Sequence, residues 1–324
     1  MSAVIHAAIV GLGRWGQTLV ASVQGKSERL RFTTAVSRDP ARVGEFLARH
    51  ELKAVDSLDA ALADPGIDAV VLATPHSQHV GEILAAAAAG KAVFCEKPLA
   101  LTRAEAERAV EACRAAGVVL GVGTDKRYFP AMQELARIVA AGELGQILHI
   151  EGHFSNEIYF VSQWRDRPDE SPAGGMTSTG IHALDSMIRI AGPVRRVQAQ
   201  LLAHQPPPDP LDTISALLEF RSGISGILSA IRCTPIFWRV HVFGKDGSAE
   251  VLGRTELVMR RTRSDPRHLR LPSRDSVRAN LEAFADAVAG VAPYPIPPSE
   301  IVDVVAALEA IGKAAASDGR VQEV

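Results

Sequence analysis

Six residues near the start, Gly11-Leu12-Gly13-Arg14-Trp15-Gly16, have the types and spacing to hold a phosphate. In a G-x-G-x-x-G run the first glycine permits a tight turn, the second lets an incoming group approach the backbone, and the third packs helix on strand. Exposed N–H groups and the helix dipole at the start of the following helix then favour negative charge. Here the run directly follows the apolar segment Ile5–Val10 and opens a helical pattern, the context that makes it a dinucleotide site. Where NAD is preferred, a carboxylate about 20 residues further on accepts the ribose hydroxyls. This chain has Ala35-Val36-Ser37-Arg38-Asp39-Pro40 at that place. Ser37 and Arg38 suit a 2′-phosphate that a carboxylate would repel, so NADP is expected in preference to NAD. The alternative is that Arg38 stacks on adenine with either cofactor. Asp39 before Pro40 reads as a helix cap.

Other residue types exclude more than they suggest. Three cysteines, Cys95, Cys113 and Cys233, lack C-x-x-C spacing, so neither a disulfide framework nor a zinc site is expected, and a reducing cytosol fits. The 324 residues carry 35 basic and 37 acidic side chains, a net charge of −2 that gives no global reason for a nucleic-acid or membrane partner. No signal-peptide pattern opens the chain, and no apolar run reaches the roughly 20 residues of a membrane span. Aromatic residues make up only 5%, so the core must rest on Ala, Val, Ile and Leu.

The elements that must position these residues come in two styles. Up to about Gly123, continuous apolar runs (Ile5–Val10, Phe32–Val36, Ala69–Ala73, Ala92–Cys95, Val118–Val122) alternate with helical patterns. Continuous runs are those of strands buried on both faces, so a doubly wound parallel α/β Rossmann sheet is expected over 1–123. Beyond it, alternating strands such as Ile147–Phe154 and Ile214–Phe220 predict an α+β substrate-binding and oligomerisation domain over 124–324 with a mainly antiparallel open sheet. Two helices, near Ser276–Ala289 and Ser299–Ala316, close the chain, and the C-terminal helix is a candidate to pack back on the first domain. Seven arginines between Arg254 and Arg274 read as solvated strand faces or a subunit contact.

Further motifs follow in order: Ala73-Thr74-Pro75-His76 with His79, Glu96-Lys97-Pro98, Trp164-Arg165, Gly174-Gly175, Gly180-x-His182-x-x-Asp185 and Phe243-Gly244-x-x-Gly247-Ser248. Together they resemble the glucose–fructose oxidoreductase/inositol dehydrogenase/MocA family of NAD(P)-dependent oxidoreductases over essentially the whole chain. The resemblance implies that Lys97 holds the reacting oxygen of a substrate and that His182 exchanges the hydroxyl proton. Expected cofactor contacts are Gly11, Gly13, Arg14, Trp15, Gly16, Ser37, Arg38, Thr74, Pro75, His76, His79, Glu96 and Lys97. Lys126, Arg127, Tyr128, Trp164, Arg165, Ser178 and His182 are expected at the substrate. Lys126, Arg127 and Arg165 are candidates to receive an anionic group; for the two arginines the alternative is interdomain ion pairs. Trp164 is read as a lid or a core residue, and Asp185 as structural.

One position departs from the family pattern: Ser178 stands where an aspartate is usual. A serine hydroxyl still hydrogen-bonds but cannot act as a carboxylate base. The expectation is a cytosolic enzyme, a homo-oligomer of dimer or tetramer size, moving a hydride between NADP(H) and a small polar alcohol or carbonyl such as a sugar, polyol or dihydrodiol. The competing readings are redox-neutral glycosidase-like chemistry and a non-catalytic NAD(P) sensor or co-regulator. No metal is expected.

Overall fold

The computed structural model describes residues 4–37, 39–157, 164–203 and 212–324. Arg38, which carries half of the NADP argument, lies outside them.

By Cα packing the chain forms two compact units, and the first comprises 1–100, 104–125 and 275–301. Its sheet is built from β1 (Ile5–Val10), β2 (Leu30–Val36), β3 (Lys53–Val55), β4 (Ala69–Leu72), β5 (Ala92–Cys95) and β6 (Leu120–Val122). Between them run α1 (Arg14–Val23), α2 (Gly44–Arg49), α3 (Leu58–Leu62), α4 (His76–Ala88) and α5 (Arg103–Ala116). Every strand pair is parallel, in the order β3-β2-β1-β4-β5-β6. Both β4 and β5 are buried throughout, which is why they read as continuous apolar runs. The order reverses between β1 and β4, so the carboxyl ends of those strands flank the crevice where open α/β sheets bind ligands. β3 escaped the sequence reading because it has only three residues, two of them exposed.

The second unit comprises 101–103, 126–274 and 302–324. It contains α6 (Pro130–Ala140), β7 (Ile147–Asn156), a π-helical turn at Met176–Gly180, and α7 (Ile181–Ala191). There follow β8 (Val194–Leu202), β9 (Thr213–Phe220), β10 (Ser225–Arg232), β11 (Phe237–Gly244), β12 (Ser248–Leu252), β13 (Glu256–Arg260) and β14 (Arg267–Arg270). The sheet order is β14-β13-β12-β11-β7-β10-β9-β8, with β15 (Gln322–Glu323) at the far edge. It is antiparallel except between β10 and β7. Its inner face packs on α6 and α7 through Ile150, Leu228, Val240, Val242, Met187 and Leu184. The arginine-rich segment thus supplies an edge hairpin, whose Leu257 and Met259 are buried while Arg267, His268 and Arg270 are exposed. Charged edge strands of this kind resist pairing with other chains.

Of the two last helices, α8 (Ser276–Val288) returns to the first unit. Phe284 meets Phe94 of β5 edge-on at 5.6 Å, and Leu281 and Ala285 join the same core. Most of α9 (Pro298–Ala316) belongs to the second unit.

Candidate active site

In the first unit the glycine turn has the geometry its spacing predicts. Gly11 sits at φ +92°, and a Cβ there would lie 2.7 Å from the Ala73 carbonyl oxygen. A Cβ on Gly16 would collide with the Gly11 carbonyl, so these two positions tolerate only glycine. At Gly13, the N-cap of α1, a Cβ would meet nothing within 4 Å. Backbone N–H groups at that helix start are therefore open to an approaching phosphate, and no acidic side chain stands in the first turn to repel it. This cradle fits a dinucleotide. Arg14 is exposed beside it, whereas Trp15 packs partly into the core. Ser37 lies just beyond β2, its N–H donating to the Val55 carbonyl at 3.0 Å.

Next to the cradle, β4 and β5 deliver two loops that one histidine ties together. His79 is fully buried; its Nδ1 lies 2.8 Å from the Pro98 carbonyl and its Nε2 3.1 Å from the Thr74 carbonyl. Both ring nitrogens thus face protein carbonyls. His79, expected at the cofactor, also braces the loops that carry Thr74 and Lys97. His76, also buried, meets its ring edge-on at 5.7 Å. Pro75 is the N-cap of α4, and the Lys97–Pro98 peptide is cis. The half-buried Lys97 donates its backbone N–H to Glu96 Oε2 at 3.3 Å.

A buried carboxyl, Glu96, and a half-buried one, Glu82, belong to the same unit as Lys97. Glu96 lies against Gly123, where any Cβ would collide with its carboxylate. Burial pushes it up to about 7, against the opposing pull of the Trp15 indole N–H and the Lys97 ammonium. Glu82 on α4 is likewise raised to about 7 by burial, although the Thr74 hydroxyl donates to its Oε2 at 2.6 Å. Glu82 was not singled out in the sequence; a lone acid within a helical pattern gives no sign of burial.

In the second unit, Arg127 and Asp185 form a buried fork: Nε to Oδ2 and Nη2 to Oδ1, both 2.7 Å. That edge of Arg127, expected to receive substrate, is committed to a carboxylate of its own unit, and the pair is not interdomain. Lys126 places its ammonium over the rings of Phe129 and Phe154, 5.1 and 5.8 Å from their centroids. Phe154 in turn meets His182 edge-on at 5.9 Å. Tyr128 is buried, and Arg165 lies 4.1 Å over the Trp164 ring. His182 stands on the first turn of α7, 7% exposed. Ser178 lies two residues before that helix's Gly180 N-cap, in the π-helical turn, with its Oγ 3.5 Å from Thr179 Oγ1.

Residues 5–124 match the model described as oxidoreductase family, NAD-binding Rossmann fold, and residues 132–250 match the GFO/IDH/MocA C-terminal domain. The chain belongs to the Gfo/Idh/MocA oxidoreductase family. Among relatives within it, the trans-1,2-dihydrobenzene-1,2-diol dehydrogenase of Mus musculus is 30% identical over 254 residues, 76% of this chain and 75% of that protein. The scyllo-inositol 2-dehydrogenase (NAD(+)) of Bacillus subtilis is 30% identical over 267 residues, 77% of this chain and 71% of that one. A solved levoglucosan dehydrogenase, in complex with NADH and levoglucosan, superposes with a TM-score of 0.89 over 99% of both chains at 20% identity. Membership of the Gfo/Idh/MocA family makes the first unit an NAD-binding Rossmann fold.

Proposed function

We propose that this protein is a dehydrogenase or reductase that interconverts a CH–OH and a C=O group on a small polyol-like substrate. The observation that carries this reading is Lys97 at the end of β5, held by Glu96 and by the His79-braced Pro98, beside a glycine cradle shaped for the cofactor phosphates. Names of the relatives favour a cyclic or sugar-like diol as substrate. When bound, the nicotinamide supplies or accepts the hydride. Lys97 orients the reacting oxygen and stabilises the negative charge that develops there. His182 takes the hydroxyl proton in oxidation and returns it in reduction. Ser178 contributes a hydroxyl and no charge, so proton exchange falls to His182. Gly11, Gly13, Arg14 and Gly16 hold the phosphates, with Trp15, Thr74, Pro75, His76 and Glu96 framing the nicotinamide side. Lys126, Tyr128, Trp164 and Arg165 line the substrate.

Ser37 and Arg38 favour NADP over NAD by charge. A cytosolic location is consistent with Cys95 and Cys113, buried thiols whose pKa values burial raises. Self-association through the open sheet of the second unit completes the proposal. Among the described residues no helix is long and apolar enough to cross a membrane.

The decisive experiment follows reduced-cofactor absorbance over a panel of polyols, sugars and dihydrodiols, each with NADP and with NAD, for wild type and Lys97→Ala. Turnover should fall by at least about a hundredfold in the variant, with cofactor affinity kept. Equal turnover in the two proteins would remove Lys97 from the chemistry. Conversion without net redox change would indicate the glycosidase-like alternative, and binding without conversion a sensor.

A further inference from the structure

We propose that the buried Asp212–Arg232 pair is a positioning device that holds the turn carrying Ser178 and His182. The inference rests on the reading of His182 as the proton-exchanging group. Asp212 immediately precedes β9, and Arg232 ends β10. Arg232 Nε donates to Asp212 Oδ1 at 2.9 Å and Nη2 contacts Oδ2 at 2.8 Å, with both side chains about 95% buried. The same two oxygens accept the Gly175 N–H, at 3.2 and 3.1 Å. The carboxylate therefore lies directly on the backbone at the start of the π-helical turn.

Glycine permits that approach. A Cβ on Gly174, at φ +51°, would collide with Asp212 Oδ2, and one on Gly175 would lie 2.8 Å from Oδ1. The other end of the turn is tied from β7, where Asn156 Nδ2 donates to Thr179 Oγ1 at 2.7 Å. Gly180 has no room for a side chain either, because Met176 and Ala230 fill the space. Strands β7 and β10, with Asp212 just before β9, thus fix a five-residue segment that leads straight into α7 and His182. A π-helical turn is a rare geometry, and it persists where surrounding contacts over-determine it.

A buried ion pair is poor evidence for stability, because an apolar pair of similar volume often serves as well or better. What an apolar pair cannot do is accept the Gly175 N–H. This difference separates positioning from packing. A reacting group displaced by about 1 Å can lose on the order of a hundredfold in rate.

The test compares Asp212→Leu/Arg232→Met, Gly174→Ala, Arg232→Lys and His182→Ala with wild type. Readouts are kcat, KM and cofactor affinity by fluorescence titration, with melting temperature recorded alongside. The apolar pair and Gly174→Ala should each lower kcat at least tenfold, with KM and cofactor affinity within about threefold. Arg232→Lys keeps a cation beside the carboxylate and should stay within about threefold in kcat. If the apolar pair does not fold, Gly174→Ala alone decides, since it leaves both charges in place. His182→Ala distinguishes the two possible failures. If it turns over normally, the reading of His182 falls and the positioning role falls with it. If it loses turnover while the apolar pair or Gly174→Ala stays within threefold of wild type, His182 stands and the positioning role is overturned.

Discussion

Burial gives the carboxyl of Glu82 its unusual titration. In the unfolded chain it titrates at its ordinary value of about 4.5; in the folded unit it holds its proton up to about 7. Between those two pH values the folded state binds more protons, so this group's contribution to stability is complete below about 4.5 and is lost as pH rises through 7. Glu82→Gln removes the titration and keeps an amide oxygen for the Thr74 hydroxyl. The variant's cofactor-free melting temperature should therefore exceed that of wild type by a few degrees at pH 8, the difference closing by about pH 4.5. A difference that stays constant from pH 4 to 9 would show that Glu82 does not carry the titration. The same scale separates legible residues from illegible ones. The sequence pointed to Lys97 and His182 through their motifs. It placed His79 at the cofactor through the motif but gave no sign of its bracing contacts, because the two carbonyls its ring meets lie on loops after different strands. It left Arg127 open between substrate and ion pair. The partner, Asp185, is 58 residues away and becomes its partner only when α7 packs in place.

Among the elements, the β1–α1 turn was legible almost to the atom, because its requirements are local. A tight turn, an open N–H row and close helix packing each demand glycine within six residues. Gly16→Ala tests the closest of these contacts. Its Cβ would collide with the Gly11 carbonyl, so α1 must shift away from β1. Overpacking of this kind typically costs about 1–3 kcal/mol, and the shift also moves the N–H groups of the phosphate cradle. Cofactor affinity, measured by fluorescence titration, should drop at least tenfold; an unchanged affinity would show that the helix start adjusts freely. Other elements were opaque. β13 and β14 hide behind arginines, because this edge hairpin mixes charged positions with a few apolar ones, and Leu257, Met259 and Leu269 face the core. The π-helical turn at Met176–Gly180 has no sequence signature; contacts from β7, from β10 and from Asp212 before β9 impose it.

At the scale of the molecule, the second sheet packs one face on helices, and among the described residues its other face carries exposed apolar side chains. Leu217 and Ile227 stand on this other face, 55% and 45% exposed, and with Leu202 they line an open groove of about 500 Å³. Exposed apolar side chains gathered on one sheet face mark an interaction surface. Under the proposed self-association, Leu217→Asp should shift the sedimentation profile toward a smaller species while the variant retains cofactor binding. An identical profile would move the interface elsewhere. Family, cofactor fold, strand–helix alternation and the catalytic candidates were all present in the sequence, since each depends on residue type and on spacing within a few turns of chain. Tertiary structure alone decided that α8 completes the first unit's core, that Glu96 is a buried acid and Glu82 a half-buried one, and that Arg127 and Arg232 are committed to aspartates. These are contacts between residues far apart in the chain. Burial and ion pairing depend on which surfaces meet, and no local pattern encodes that.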